Sequence, residues 1–232
     1  MVTRIAMWSG PRNISTALMR SFGARPDTTV VDEPLYAHYL DVTGIDHPGR
    51  EEILAGQPRD EAAAVAAMLG PVPGDVQYQK HMTHHLLPGM GTAWMGQVRN
   101  AFLIRDPARV IASYARVRAE PTLADLGFEQ QVAIFRGFGG PVVDADALLR
   151  DPRGRLEALC AALGIPFRAA MLSWPAGPRD TDGVWAPYWY ASVEASTGFG
   201  PPPAEPPVVP ERFADLLARA RECYDELAAS AL

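Results

Sequence analysis

Cysteine and long apolar runs are both scarce in this chain of 232 residues. Its two cysteines, Cys160 and Cys223, are too few for a disulfide framework and belong to no metal-binding spacing, so we expect two small buried side chains within helices. No apolar run reaches the roughly 18 residues of a membrane-spanning helix, and the first residues lack the apolar core of a secretory signal. These absences predict a soluble, cytoplasmic protein that does not bind membranes.

Positive charge is also in short supply, and lysine is nearly absent. The chain has 21 Lys and Arg residues against 27 Asp and Glu residues, which gives a net charge of −6. This balance excludes generic nucleic-acid binding and leaves room only for a local basic pocket. Lys80 is the single lysine among the 21 basic side chains. Because a compact ammonium and a planar guanidinium are not interchangeable, Lys80 is a candidate for a reacting centre.

A Walker phosphate-binding motif is absent as well. Gly10 is followed by Pro-Arg-Asn-Ile and then by Ser15 and Thr16, without the Gly-Lys pair of that motif. The turn nevertheless joins an apolar strand to a helix, where backbone N–H groups, the helix dipole, two hydroxyls and Arg12 favour an anion. The loop is predicted to hold a phosphate-like group without NTP hydrolysis; the alternative is an ordinary first βα turn.

Candidate catalytic groups follow the next two predicted strands. Glu33 comes directly after the strand 28–32, at the strand end that faces the ligand crevice of an open α/β sheet; alternatively, it helps a helix to begin at Pro34. His81, His84 and His85 come directly after the predicted strand 75–80. Since the adjacent His84 and His85 would not both point at one ion, a general base is favoured over a metal site.

A second anion site is predicted after the strand 99–105. Arg105 lies at the tip of this strand, and Asp106 and Pro107 have the chemistry of a helix start. Ser113 lies two turns into the helix that follows, which is predicted to run from residue 107 to 118. An anion could be held between Arg105 and Ser113. The alternative is that Arg105 pairs with Asp106 or another carboxylate.

The element pattern predicts an α/β fold. Five strands alternate with helices, which indicates a three-layer sandwich with a mostly parallel sheet of about five strands and helices on both faces. The chain shows no convincing linker between two cores, so residues 1–232 are predicted to form a single domain. Within it, residues 201–210 form a Pro-rich spacer before a C-terminal helix over 211–232.

Four stretches of the chain resemble, in the same order, motifs of the sulfotransferases that use 3′-phosphoadenosine 5′-phosphosulfate (PAPS). The fold of that family is related to the P-loop nucleotide kinases. Residues 9–16 are similar to the family's 5′-phosphosulfate loop. Arg105 and Ser113 have the eight-residue spacing of the 3′-phosphate motif. Residues 144–167 resemble its late strand and helix with a Leu-Gly-Ile-Pro-Phe ending. Residues 179–185 are faintly similar to the Arg-Lys-Gly…Gly-Asp-Trp segment.

The resemblance implies roles for individual residues. PAPS would be the co-substrate and adenosine 3′,5′-bisphosphate the product, with no metal required. Lys80 would offset charge on the leaving phosphate, and the base would be His81 first or Glu33 second, with His84 and His85 as further candidates. The residues implied in PAPS binding are Gly10, Pro11, Arg12, Asn13, Ser15, Thr16, Arg105, Ser113 and Arg179.

Several residues depart from the family pattern. Arg12 replaces the usual loop lysine, Ile14 replaces its glycine, and Arg179 lacks the following Lys-Gly. The expected activity is sulfuryl transfer to a hydroxyl or amine of a small-molecule acceptor. A P-loop-type kinase or NTP-binding protein, and a non-catalytic nucleotide-binding relative, are the alternatives. The aromatic segment, residues 179–199, is either an acceptor pocket or a lid and core element; the sequence specifies neither the acceptor nor the oligomeric state.

Overall fold

The protein contains the parallel sheet that the strand pattern predicts. The computed structural model describes residues 2–116 and 118–232. Its strands are β1 (Thr3–Ser9), β2 (Thr28–Asp32), β3 (Val76–Met82), β4 (Arg99–Ile104) and β5 (Val142–Asp144). They are all parallel and pair in the order β2-β3-β1-β4-β5. The carboxyl ends of the central strands therefore meet at one edge of the sheet, where the predicted site residues follow.

Helices cover both faces of this sheet, as predicted. They are α1 (Ser15–Gly23), α2 (Tyr36–Thr43), α3 (Arg50–Gly56), α4 (Glu61–Leu69), α5 (Pro107–Tyr114), α6 (Leu123–Leu126), α7 (Phe128–Phe138), α8 (Ala145–Arg150), α9 (Pro152–Ala162), α10 (Ala186–Trp189), α11 (Ala191–Glu194) and α12 (Ala214–Ala228). The apolar sides of α1, α2, α3, α8 and α9 pack on one face, and those of α4, α7 and α12 pack on the other. The α/β fold class is confirmed.

Local sequence explains where several helices begin. Asp106 accepts a hydrogen bond from the Ala108 backbone N–H at 2.8 Å, and Pro107 occupies the first helical position of α5. Asp151 caps α9 in the same way through the Gly154 N–H at 2.9 Å. The Asp106 cap confirms the predicted start of α5.

The strand β3 is longer than predicted. It continues to Met82, so His81 lies within the strand and not directly after it, and the expected strand end at residue 80 is wrong. The polar run Gln77–His81 is buried throughout, so its composition does not mark where the strand ends. Its side chains find partners on the two faces of the sheet; Gln79 Nε2, for example, donates to the Met68 carbonyl at 3.0 Å.

Other boundaries differ by small amounts. The sequence pattern predicted neither α3 nor the short helices α10 and α11 of the aromatic segment. The helix predicted to reach residue 118 ends at Tyr114, and Val117 lies outside the described residues, as does residue 1 of the predicted domain. The C-terminal helix α12 follows a 3-10 turn at Glu211–Phe213.

The helices and the two cysteines can be compared with the sequence features noted above. Within residues 2–116 and 118–232, no helix is long and apolar enough to cross a bilayer. Cys160 is a buried free thiol in α9, and Cys223 is a half-buried free thiol in α12. Both side chains pack among apolar neighbours, in agreement with the helical positions expected for them.

Candidate active site

A cavity of about 760 Å³ lies at the carboxyl ends of the central strands. This volume is typical of pockets for small molecules and nucleotides. It brings together most of the predicted site residues, namely Pro11, Arg12, Asn13, Ser15, Thr16, Glu33, Lys80, His84, His85, Arg105 and Ser113. Gly10, His81 and Arg179 do not line it.

The loop between β1 and α1 has a strained backbone. Arg12 and Ile14 both adopt left-handed conformations, with φ angles of 63° and 56°. Such angles favour glycine and cost about 1–3 kcal/mol in other residues. Ile14 therefore keeps the backbone shape that a glycine would otherwise supply. Gly10 is required for a different reason, because a Cβ atom there would clash with the Leu126 carbonyl oxygen.

One half of the cavity is cationic. Arg12 Nε donates to Ser113 Oγ at 2.9 Å, and an Arg105 terminal nitrogen donates to the Arg12 carbonyl at 2.7 Å, so hydrogen bonds link the two predicted anion sites. Arg105 does not pair with Asp106; its nearest carboxylate is Asp146, 3.8 Å from Nε. Burial lowers the pKa of Arg105, yet an arginine so far above neutrality stays charged.

Arg105 also carries an unsatisfied donor. Its Nε is buried and has no hydrogen-bond partner within the described residues, and neither does the side-chain oxygen of Asn13. Buried polar atoms are nearly always paired, so an unpaired guanidinium N–H at a cavity wall fits a ligand anion. Arg109 Nε contacts Asp146 Oδ2 at 2.8 Å, whereas Asp146 Oδ1, which is also buried without a hydrogen-bond partner among the described residues, lies 3.8 Å from Arg105 Nε.

The other half of the cavity ends at Lys80. Its ammonium donates to Asp32 Oδ1 at 3.0 Å, to Glu33 Oε1 at 2.5 Å and to the Tyr190 hydroxyl at 2.7 Å. Burial opposes the charge of Lys80, but the two carboxylates outweigh it and hold its pKa well above the usual value. The lysine singled out by its rarity is therefore a buried, fully hydrogen-bonded cation at the cavity wall.

Glu33 reaches the cavity because of its backbone. It has a φ angle of 41°, and its N–H donates to the Lys80 carbonyl at 2.9 Å, which continues the β2–β3 ladder by one residue. Burial raises the pKa of Glu33 and the Asp32 charge adds to this, while the Lys80 ammonium opposes it. A raised pKa brings a carboxylate nearer to the range of a general base. The candidate base Glu33 and the candidate cation Lys80 are therefore hydrogen-bonded to each other.

His81 points to the opposite face of the sheet. Successive side chains of a strand alternate, so Lys80 and His81 cannot both face the cavity. The His81 ring stacks on Trp8 at a centroid distance of 4.4 Å, and its Nε2 lies 3.0 Å from Gln79 Oε1. Burial lowers the pKa of His81 to about 3. The structure therefore does not bring the first-choice base to the other site residues.

His84 and His85 do line the cavity, in the 3-10 turn Thr83–His85 that follows β3. Burial lowers the pKa of His84 to about 4 and that of His85 well below its usual value. His85 stacks on Tyr36 at 4.4 Å, and its Nδ1 is 3.9 Å from Glu33 Oε2. Across the described part of the chain, no cluster of His, Cys, Asp and Glu side chains has the arrangement of a metal site.

Arg179 lies outside the cavity that contains the other predicted site residues. Its guanidinium donates to backbone carbonyls of its own loop at Pro175, Gly177 and Pro178, and it lines a second cavity of about 440 Å³. That cavity also contains Arg20, which forms a buried bidentate pair with Asp182. The structure separates Arg179 from Arg105 and Ser113, with which the resemblance had grouped it.

The aromatic segment forms much of the remaining wall. Trp185, Trp189 and Tyr190 line the cavity, whereas Tyr188 is exposed at the surface. Sequence reasoning missed further wall residues, Tyr36, His47, Tyr114 and Arg118. The only signal for Tyr36 was its place three residues after the candidate base Glu33. His47 lies between glycines and prolines in a stretch without a regular pattern.

Comparison with known proteins identifies the relatives of the chain. A family model described as a sulfotransferase domain matches residues 3–231. Two Arabidopsis thaliana proteins, branched-chain-amino-acid aminotransferase-like proteins 1 and 2, are 42% and 38% identical to it over 229 residues. The matched region covers 96% of this chain and 41% of each relative, so the chain spans less than half of their length.

Solved structures with the same fold are sulfotransferases. A sulfotransferase from Alicyclobacillus acidocaldarius has a TM-score of 0.58 at 15% identity, covering 100% of this chain and 98% of that one. The sulfotransferase domain from the curacin biosynthetic pathway has a TM-score of 0.56 at 16% identity and covers 98% of both chains. At such identities these likenesses concern the fold alone, and they confirm the predicted resemblance at that level.

Proposed function

The chain belongs to the sulfotransferase family, and on that premise we propose that it moves a sulfuryl group from PAPS to a hydroxyl or amine of a small-molecule acceptor. The observation that carries this proposal is the composition of one cavity. A cationic half around Arg12, Arg105 and Ser113 faces a buried Lys80–Glu33 pair across the same space. Two anion sites and a base are the groups that sulfuryl transfer requires.

The cationic half fits the two anionic ends of PAPS. The loop N–H groups with Arg12, Ser15 and Thr16 would hold the 5′-phosphosulfate at the start of α1. Arg105 and Ser113 would hold the 3′-phosphate, and the unpaired Nε of Arg105 supports this assignment. When bound, PAPS supplies an electrophilic sulfuryl group whose transfer depends on positioning and electrostatics, by analogy with phosphoryl transfer.

Glu33 and Lys80 would act as a coupled pair. Glu33 would accept the proton of the acceptor's hydroxyl or amine, because its carboxylate lines the cavity and its pKa is raised by burial. All three N–H bonds of Lys80 are already donated, one of them to Glu33. Proton uptake by Glu33 removes its negative charge and weakens its hold on Lys80 Nζ. That N–H can then donate a hydrogen bond to the leaving phosphate oxygen, so proton transfer to Glu33 and the new hydrogen bond from Lys80 support each other.

Nucleotide preference gives the first test of the proposal. We expect adenosine 3′,5′-bisphosphate to raise the thermal-unfolding midpoint more than ADP or ATP with Mg²⁺, because only the bisphosphate fills the Arg105–Ser113 site. At about 100 times its dissociation constant, a ligand adds roughly 2.7 kcal/mol of stability. A larger shift with ATP and Mg²⁺ would instead support a P-loop kinase or NTP-binding protein. Bisphosphate binding without turnover across an acceptor panel would support a non-catalytic relative.

Arg105→Ala tests the 3′-phosphate site. We expect the variant to bind adenosine 3′,5′-bisphosphate about 10- to 150-fold more weakly in isothermal titration, since a hydrogen bond to a charged group is worth about 1.5–3 kcal/mol. Its affinity for ADP, which lacks the 3′-phosphate, should change far less. Arg153→Ala, an exposed arginine of α9, is the matched control. Equal losses for the bisphosphate and ADP would rule out the assignment.

Lys80→Met tests the leaving-group role. We expect kcat to fall by about 10²–10³, the effect of losing one preorganised donor to a developing charge. The affinity for adenosine 3′,5′-bisphosphate should fall by a much smaller factor than kcat. The reason is that the contact between the Lys80 ammonium and the leaving phosphate oxygen strengthens in the transition state. Circular dichroism checks that the fold tolerates the loss of a buried cation. A folded Lys80→Met variant with a kcat close to that of the wild type would refute the leaving-group role.

A further inference from the structure

The Lys80 end of the cavity carries an excess of negative charge. Two buried carboxylates, Asp32 and Glu33, share one ammonium. Asp32 Oδ2 additionally accepts hydrogen bonds from the Tyr190 hydroxyl at 2.7 Å and the Gly183 N–H at 3.0 Å. Two acidic side chains at this end of the cavity therefore share a single basic side chain. Arg118, which also lines the cavity, is paired with Asp125 at 3.3 Å.

The nearby imidazoles do not compensate this charge. His47, His84 and His85 all line the cavity, and burial lowers the pKa of each of them. The Tyr36 hydroxyl lies 2.6 Å from His47 Nε2. All three rings are thus neutral near pH 7, and they present aromatic faces and edges to the cavity without adding positive charge.

Aromatic rings surround the same space. Tyr36 and Trp185 meet edge to face at 5.0 Å, and Trp189 lies against the His47 ring at 5.6 Å. The ammonium of Lys80 already lies 5.0 Å from the centre of the Tyr190 ring. Aromatic faces attract cations, and quaternary ammonium groups are the ligands for which such enclosures are best suited.

We infer that this end of the cavity binds an acceptor that carries an ammonium group, so that the acceptor is an amine or an amino alcohol. The inference rests on the proposed function and narrows its acceptor class. Opposite charge at the two ends gives each substrate its own place: the anionic donor belongs beside Arg12 and Arg105, and the cationic head group belongs between Glu33 and the aromatic rings. A neutral phenol or sugar would use the rings and leave the excess charge unpaired.

Matched probes that differ only in charge test this inference. The pairs are choline with 3,3-dimethylbutan-1-ol, and ethanolamine with propan-1-ol. Each is titrated into the full chain at pH 8 with saturating adenosine 3′,5′-bisphosphate, because an alkaline pH favours the ionised form of Glu33, whose pKa burial raises. We expect at least one cation to bind about tenfold more tightly than its neutral partner, as a desolvated cation–π contact of about 2 kcal/mol or less allows. Cations that bind no more tightly than the alcohols in both pairs would overturn the inference.

Substitutions at Trp189 test the role of the aromatic rings. This residue is 39% exposed, so its replacement leaves the buried core intact. In Trp189→Ala the ratio of neutral to cation dissociation constants should fall at least threefold, whereas Trp189→Phe should keep it. An unchanged ratio in both variants would remove Trp189 from the cation site. Failure of the proposed function would look different, because adenosine 3′,5′-bisphosphate would then fail to bind in the first place.

Discussion

Glu33→Gln is expected to lower kcat by about 10²–10⁴, the usual contribution of a general base. Glutamine keeps the size of the side chain and its contact with Lys80, but it cannot accept a proton from the acceptor. Binding of adenosine 3′,5′-bisphosphate should stay within a few-fold of the wild type, because Glu33 lies at the Lys80 end of the cavity and not beside Arg105. Steady-state kinetics together with titration of the bisphosphate measure both effects.

The raised pKa of Glu33 also predicts how the rate changes with pH. Burial raises the pKa of Glu33, and a base must be deprotonated to act. The rate should therefore be lost as the pH falls through this raised pKa, so the acidic limb of kcat should lie above the ordinary range of a glutamate. In Glu33→Gln that limb should disappear. A merely structural role of Glu33 would lower the rate without removing the limb.

His84→Gln is the control that separates a carboxylate base from an imidazole base. His84 lines the same cavity, and its Nδ1 is buried without a hydrogen-bond partner in the described part of the chain. We expect less than a tenfold change in kcat and an unaltered acidic limb. If His84→Gln lost as much activity as Glu33→Gln, the base would be the histidine.

Much of the fold was predictable because its signals are local. The β-branched run Thr28–Asp32 forms β2 with the predicted bounds, and Asp106 with Pro107 begins α5 as expected. Each of these depends on neighbours in the chain, such as a cap or a run of buried side chains. Parallel order then follows from strands that alternate with helices, so the sheet could be predicted before any tertiary contact was known.

Side-chain direction at the site was less predictable. The sequence led to a strand end at residue 80, but β3 continues through two more residues, and this places Lys80 and His81 on opposite faces. The polar side chains of β3 are buried by partners distant in sequence, which no local pattern encodes; Gln79, for example, pairs with Met68 of α4. Glu33, the second choice as base, lies in the cavity because its left-handed backbone turns the side chain inward.

Arg179 illustrates a second limit. Its assignment depended on a faint resemblance over a few residues, and the loop instead folds on itself through hydrogen bonds to its own carbonyls. What anchors that loop is the pair of Arg20 in α1 and Asp182, 162 residues apart in the chain. A contact of such separation leaves no trace in spacing or composition, so neither partner appeared among the candidates.

Asp182→Asn is expected to destabilise the protein by about 3–5 kcal/mol, the cost of leaving one charge of a buried pair without its partner. Arg20 donates to both oxygens of Asp182, at 2.5 and 2.7 Å, and the two side chains are 3% and 4% exposed. Asp182 also accepts the Arg179 N–H at 2.7 Å, so the substitution weakens two anchors of the loop. Since whole domains are stable by only about 5–15 kcal/mol, urea denaturation should show a large fall in the midpoint.

The surface supplies a control with the same number of contacts between an arginine and a carboxylate. Arg136 and Glu226 form an equally bidentate pair, with two contacts of 2.7 Å, but their side chains are 68% and 37% exposed. Because water screens exposed pairs and replaces their hydrogen bonds, Glu226→Gln should leave the urea midpoint nearly unchanged. In Asp182→Asn the anchored loop carries Gly183 and Tyr190, both of which donate to Asp32 beside Lys80. Activity of the residual folded protein should therefore fall as well, and a stable, fully active Asp182→Asn variant would contradict the anchoring role of the pair.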